Sequence, residues 1–351
     1  MYKKFFMGIA AIAALTLVSC SSDDLNSLSD NSSKNEAISF DGYLGRSAVA
    51  VNGSRGSVLE IGDLQNSKDG FGVFGNYNAA DGQNFGSNLF NNEPVKYSTK
   101  ESKWTYSPLK YWSTQGHIDF LAYAPHVNGK TLKNNTSNKT TCIDFTVSST
   151  IADQKDLLWA NVKDQKKTDN PVKFTFNHAL AKIGYTVKKG VDDDNVTIKL
   201  NKITLAGSAT DPTVGAFYTD GTIDLSKDLS KADNATVLWT SCTGTQPFTW
   251  STGFPNVTSQ SSAGSDYLFV IPQNFSTEKL YVIVDYTISY TGGPTAEMKS
   301  TVSSPIVKNF EQGKAYTINL NIGLTKIDFD VTDVNTWTPA GDGKIDIDSW
   351  N

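Results

Sequence analysis

At 351 residues, with a formal net charge of −5 and an isoelectric point near 5.3, the chain is long enough for two domains of ordinary size. It carries no block of clustered lysine and arginine, which excludes nucleic acid as a partner, because that binding depends on such clusters. Its three cysteines, Cys20, Cys142 and Cys242, are too few and too far apart for a zinc site or a disulfide scaffold, and its only arginines, Arg46 and Arg55, fall together near the start.

The first element is an export signal. Lys3 and Lys4 precede an apolar run from Phe5 to Val18 and then small residues ending in Cys20, the three-part layout of a secretory peptide. The run is shorter than the roughly 20 apolar residues a membrane span needs. Leu17-Val18-Ser19-Cys20 resembles the lipobox of bacterial lipoproteins, where cleavage precedes a cysteine that is then acylated. That resemblance implies a signal peptide at 1–19 and lipidation at Cys20. At roughly 0.8 kcal/mol per buried methylene, several acyl chains would hold the product on a membrane. Ser21-Ser22-Asp23-Asp24 resembles the signal that sends Bacteroidetes lipoproteins to the outer face of the outer membrane. Residues 20–36, rich in Ser, Asp and Asn, lack the apolar surface to fold and read as a flexible tether.

The globular part opens on "ISFDGYL", residues 38–44, in which Ile38, Phe40 and Leu44 alternate with Ser39, Asp41 and Tyr43 while Gly42 interrupts the apolar face. Arg46 follows it directly in a glycine-flanked stretch, and Arg55 lies in the loop-like "NGSRGS". Further strands are predicted at "GFGVFGNY", "KWTYSP", "HIDFLAYAP", "CIDFTVS", "VKFTF", "AKIGYTVKK", "NVTIKLNKITLAG" and "DYLFVIPQ". In "KLYVIVDYTISYTGG", Leu280, Val282, Val284, Tyr286, Ile288 and Tyr290 share one face and Asp285, Thr287 and Ser289 the other. "AYTINLNI" aligns Tyr316, Ile318, Leu320 and Ile322, and "KIDFDV" aligns Ile327, Phe329 and Val331. A dozen or more short strands with almost no helical period predict an all-β chain of antiparallel sandwiches. The polar stretch "NVKDQKKTDNP", residues 161–171, predicts a boundary between a domain at 37–170 and another at 171–351, with an extension from about 324.

Motifs of catalysis and metal binding fail on context. Gly70-Phe71-Gly72-Val73-Phe74-Gly75 matches G-x-G-x-x-G, but a dinucleotide loop must open a helix and this string is itself strand-like. His117, His126 and His178 lack metal-pair spacing, and Asp192-Asp193-Asp194 reads as a solvated turn. "GDGKIDID" fits the centre of a calcium loop, yet Thr338 and Ala340 stand where its earlier carboxylates belong. No metal, no cofactor and no enzyme activity is therefore expected. Once exported, Cys142 and Cys242 are available to pair with each other, a question left open by their spacing.

Taken in order, the lipobox at Cys20, "ISFDG" followed by an arginine, "GFGVFGNY", "YSPLKYWSTQGHIDFLAYAP", "DLLWA", "FTFNHALAKIGYTV" and "FEQGKAYTINLNI" resemble the fimbrillin family, the pilins of Bacteroidales type V pili, including its Mfa-like branch. The resemblance implies two transthyretin-like antiparallel β-sandwich domains, export as an outer-membrane lipoprotein and assembly into surface fimbriae. It also implies an arginine-specific surface protease that cuts near the N-terminus and removes the first strand. A neighbouring subunit's C-terminal strand then fills the exposed groove. On this sequence the cut falls at Arg46, with Arg55 in reserve, and the displaced strand carries Ile38, Phe40 and Leu44. The donor carries Ile327, Phe329 and Val331, with Ile345 and Ile347 as further anchors; "ISFD" and "IDFD" share an Ile-x-Phe-Asp pattern. The implied partners are other pilin subunits in a homo- or heteropolymer, the protease, the outer membrane before maturation, and a host glycan or protein. A stalk position is favoured over the tip, since a tip chain should stop soon after its last core strand. The competing readings are a monomeric surface adhesin using Trp104, Tyr106, Tyr111 and Trp112 as a sugar platform, and an unrecognised hydrolase.

Overall fold

The computed structural model describes residues 36–44, 61–80, 82, 84–228, 238–251, 253–277, 279–293, 298–324 and 326–334. Cys20, Arg46, Arg55, Ile345 and Ile347, and with them the signal peptide and most of the tether, lie outside the described residues. Among the described residues the chain is nearly all β. The first part runs β1 (Phe40–Leu44), α1 (Ile61–Asn66), β2 (Phe71–Asn78), β3 (Phe90–Ser98), β4 (Lys103–Thr105), β5 (His117–Ala124), β6 (Lys133–Asn134), β7 (Thr140–Thr146), β8 (Leu158–Gln165) and β9 (Val172–His178). There follow β10 (Ala181–Lys189), β11 (Val196–Ala206), β12 (Phe217–Asp224), β13 (Trp239–Gln246), β14 (Phe248–Trp250), β15 (Ser262–Ala263), β16 (Leu268–Val270), β17 (Gln273–Asn274), β18 (Tyr281–Tyr290), β19 (Met298–Pro305), β20 (Asn309–Phe310), β21 (Ala315–Ile322) and β22 (Ile327–Val334).

A seven-stranded sheet is ordered β1-β9-β8-β5-β2-β3-β4. Four smaller sheets are ordered β15-β10-β21-β22, with β16 also on β10, then β14-β11-β18-β19, β13-β12-β7-β6 and β17-β20. Strands from either side of residue 170 share sheets, since β9 completes the seven-stranded sheet and β7 pairs with β12. Pairing is antiparallel except at β1 with β9 and β10 with β21, which run parallel, so the expectation of purely antiparallel sandwiches is corrected at two ladders.

The inner strands β2 and β5 of the seven-stranded sheet are buried on both faces. Phe71 and Val73 of β2, Ile118 and Phe120 of β5, Leu158 of β8 and Phe174 of β9 line one core, with Ile38 and Phe40. From the opposite face Phe74, Leu121, Tyr123 and Trp159 enter a larger core built mainly from β10 onward. Two-sided burial explains why every residue of "HIDFLAYA" is buried, polar His117 and Asp119 included. The Asp119 carboxylate repays its burial by accepting hydrogen bonds from the backbone N–H of Asn84 at 2.8 Å and of Asp164 at 2.7 Å, and from Asn78 Nδ2 at 3.3 Å.

The polar stretch read as a linker begins inside β8, whose residues from Asn161 onward are half-exposed as the strand leaves the core. The glycines of "GFGVFG" serve ring packing: a Cβ at Gly72 would stand 2.6 Å from the Tyr123 ring and one at Gly75 2.8 Å from Phe90. His117 and His178 are buried, and His178 Nδ1 lies 2.6 Å from Asp156 Oδ2. Among the described residues, no group of three or more His, Cys, Asp or Glu side chains is placed to hold a metal ion.

Among the described residues Cys142 and Cys242, the pairing left open above, are free thiols. Cys142 lies on β7 opposite Asp224 of β12, and Cys242 lies on β13 along the other edge of β12. Two strand spacings separate them by roughly 10 Å before any offset along the strands, beyond the roughly 7 Å between Cα atoms that a disulfide spans. Burial pushes the Cys142 thiol up to about 11 and also raises Cys242.

Candidate functional site

The segment 36–44 is held by two different neighbours. Residues 36–38 run against 110–112: Ile38 N–H donates to Lys110 O at 2.8 Å, Trp112 N–H donates to Glu36 O at 3.0 Å, and Ala37 bridges Tyr111. At Ser39 the chain crosses to β9, with Val172 N–H donating to Ser39 O at 2.8 Å. From Phe40 to Leu44 it pairs parallel with Val172 to Phe176. As the terminal strand of its sheet, β1 is held by one ladder and the short contact with 110–112.

Ile38 and Phe40 are core residues nonetheless. Ile38 is 1% exposed and Phe40 3%. The Phe40 ring centroid lies 5.4 Å from Phe90, 5.4 Å from Tyr106, 5.5 Å from Phe120 and 5.7 Å from Phe174, an aromatic box worth more than its buried area alone. Gly42 sits where a Cβ would meet a ring carbon of Phe176 at 3.2 Å and one of Phe71 at 3.5 Å. Leu44 closes the strand opposite Phe176. The structure thus brings Ile38 and Phe40 together on one buried face and leaves a narrow place between them and Leu44. Loss of the segment would uncover aromatic rings and unpaired β9 backbone.

Two residues that sequence pattern did not assign to this site secure it. The Tyr106 hydroxyl donates to Ile38 O at 2.7 Å, and burial pushes its pKa up to about 12, so it stays a donor through the physiological range. Lys110 pairs with Glu93 at 3.1 Å and lies 4.5 Å from the Phe90 ring centroid, anchoring the 106–112 segment. Contacts from 106 and 110 back to 38 leave no local periodicity to read. Tyr106→Phe is expected to lower the free energy of unfolding by about 1–2 kcal/mol, because a half-buried carbonyl loses its donor. A drop in urea midpoint at constant slope checks this.

The four aromatics read as a sugar platform divide differently. Trp104 and Trp112 are buried in the same core as Phe40, Tyr106 is half-buried, and Tyr111 is exposed.

The predicted donor residues lie on β22, which folds back on its own chain. It pairs antiparallel with β21 from Ile322 opposite Ile327 to Ala315 opposite Val334, and its turn is closed by Gly323 N–H donating to Lys326 O at 2.9 Å. Ile327, Phe329 and Val331 are half-buried against the larger core, while Asp328 and Asp330 are exposed. Lys308 pairs with Asp333 at 2.7 Å and Asn319 Nδ2 donates to Thr332 Oγ1 at 3.1 Å, fastening the far end. Like β1, β22 ends a sheet. Both strands are therefore edges, but they sit in different sheets and differ in depth of burial.

A family model described as fimbrillin-like matches residues 60–337. Among solved structures, a fimbrial protein from Bacteroides vulgatus superposes with a TM-score of 0.65 at 22% identity, covering 86% of this chain and 99% of the other. A proposed cell adhesion protein from Bacteroides ovatus gives a TM-score of 0.49 at 16% identity, covering 88% of this chain and 99% of the other. No curated protein matches the chain significantly.

Proposed function

The chain belongs to the fimbrillin-like family, and from that premise we propose that it is a structural pilin subunit whose N-terminal strand is removed and replaced by a strand from another subunit. The observation that carries this reading is β1 itself. It is a terminal strand, parallel to a partner far along the chain, that delivers Ile38 and Phe40 to the core and ends at Leu44, two residues before Arg46. Such a strand leaves as one piece, and the aromatic groove it vacates is too apolar to stay open in water.

In this reading the precursor is exported through the signal at 1–19 and held on the outer membrane by lipid on Cys20. An arginine-specific surface protease then frees it by cutting at Arg46, with Arg55 as the second site. The groove that accepts a strand is lined by β9 and by the rings around Phe40, and the C-terminal strand is the one donated, with Ile327, Phe329 and Val331 of β22 as anchors and Ile345 and Ile347 extending them. A half-buried edge strand is easier to release than a core strand, which suits β22 to donation. A chain that carries such a strand belongs in the stalk of a fimbria rather than at its tip. Partners are other pilin subunits, and the assembled fibre serves adhesion to a host glycan or protein.

The test treats unlipidated precursor with an arginine-specific protease and adds a labelled peptide of residues 36–44. Cleavage after Arg46 is expected to let the peptide enter, read as a rise in fluorescence anisotropy, while the double variant Arg46→Lys/Arg55→Lys stays closed and Arg55→Lys alone behaves as the parent. Cleavage at Arg46 with no peptide entry would sink strand exchange.

A further inference from the structure

The groove left by β1 is more selective than an apolar slot. Gly42 occupies a place where even a Cβ comes within 3.2 Å of Phe176 and 3.5 Å of Phe71. Both rings are fully buried and lie 5.3 Å apart between centroids, with Phe174 at 5.8 Å from Phe71 and 6.0 Å from Phe176. One ring cannot turn aside without displacing the others, so the space at position 42 is fixed by three aromatic residues.

Resting on the strand-exchange reading, we infer that position 42 is the specificity gate of the groove: it admits strands of pattern Ile-x-Phe-x-Gly and refuses this chain's own β22, so the strand that fills it comes from a subunit of different sequence. Laying Phe329 in the place of Phe40 puts Ile327 at Ile38, which fits, but puts Val331 at Gly42 and Asp333 where the departing strand has Leu44. A valine there adds a Cβ and two methyls to a place that is tight for the Cβ alone. Sliding β22 by one residue turns its aspartates inward. Sliding it by two puts Phe329 or Asp333 at position 42, and reversing its direction brings Ile327 there. The terminal "KIDIDSWN" offers Ser349 at that position but only Ile347 for the aromatic box that holds Phe40. The shared Ile-x-Phe-Asp pattern of the two strands thus covers two of the positions that matter and misses the third.

The test uses the whole chain cleaved with an arginine-specific protease and labelled peptides read by anisotropy. The 36–44 peptide is expected to enter, and its Gly42→Val form to bind at least about tenfold more weakly, a difference of about 1.4 kcal/mol. A 325–333 peptide should enter poorly, its Val331→Gly form should recover about tenfold, and a 344–351 peptide should stay weak. Equal entry of the Gly42→Val and parent peptides, or entry of the 325–333 or 344–351 peptide as tightly as 36–44, overturns the inference and leaves strand exchange standing. Failure of the 36–44 peptide itself to enter overturns both.

Discussion

Phe40→Ala is expected to lower the free energy of unfolding by about 3–5 kcal/mol, the range for removing a fully buried phenylalanine side chain. The mutation empties the centre of a box formed by Phe90, Tyr106, Phe120 and Phe174, whose rings also pack against one another. Collapse around the vacancy is therefore limited, which places the expected loss toward the upper part of the range. The measurement is urea unfolding of the uncut chain, with binding of an apolar dye under native conditions as a second readout. Phe329→Ala on β22 is the control: its ring is half-buried on an edge, so a loss under about 1.5 kcal/mol is expected. If the two variants lost equal stability, the contrast between a core strand and a detachable edge would be wrong.

Asp119→Ala is the second large effect, with an expected loss of about 3 kcal/mol. Two backbone N–H groups, of Asn84 and Asp164, would be left without their acceptor in a site where Asp119 is fully buried, and each orphaned donor costs about 1–3 kcal/mol. Asp119→Asn keeps one acceptor oxygen and should recover part of the loss, whereas Asp328→Ala, on an exposed face, should leave the urea midpoint unchanged. Thermal or urea unfolding of the three variants checks the order. A neutral Asp119→Ala would mean that the loop at Asn84 and the irregular turn of β8 at Asp164 are not held from β5.

Period-two patterning was legible wherever a strand has one buried and one open face. In β18 alternation selects Val282, Val284, Tyr286 and Ile288, all buried, but the other face is partly covered as well, at Ile283 and Thr287, while Tyr290, at the strand's end, emerges to 39% exposure. The same holds in β21 for Tyr316, Ile318, Leu320 and Ile322. Strands β3, β12, β13 and β19 were not visible as such, for a common physical reason: their side chains are largely polar, and their ladders rest on backbone pairing with better-patterned neighbours. The helix α1 was missed because it is a single short turn with Leu64 as its buried anchor. Pairing direction is not encoded in composition at all, and the parallel ladders came only from the three-dimensional arrangement. Of the candidate site, the apolar face at Ile38 and Phe40 was legible. The significance of Gly42 was not, because a glycine inside an alternating strand reads as an interruption until the rings around it are placed.

The parallel pairing of β1 with β9 carries a consequence for how the molecule forms. A strand at residues 40–44 that pairs with residues 172–176 makes one of the long-range contacts of the fold, and loop-closure entropy delays such contacts relative to hairpins such as β21 with β22. β1 must wait for β9, so the first of the described strands in sequence is among the last to be seated. The same topology makes it among the first to open, and its amides should exchange with solvent ahead of those of β5 and β8 at the centre of the sheet. The element assigned to removal would then be the least cooperative part of the core from the moment it folds.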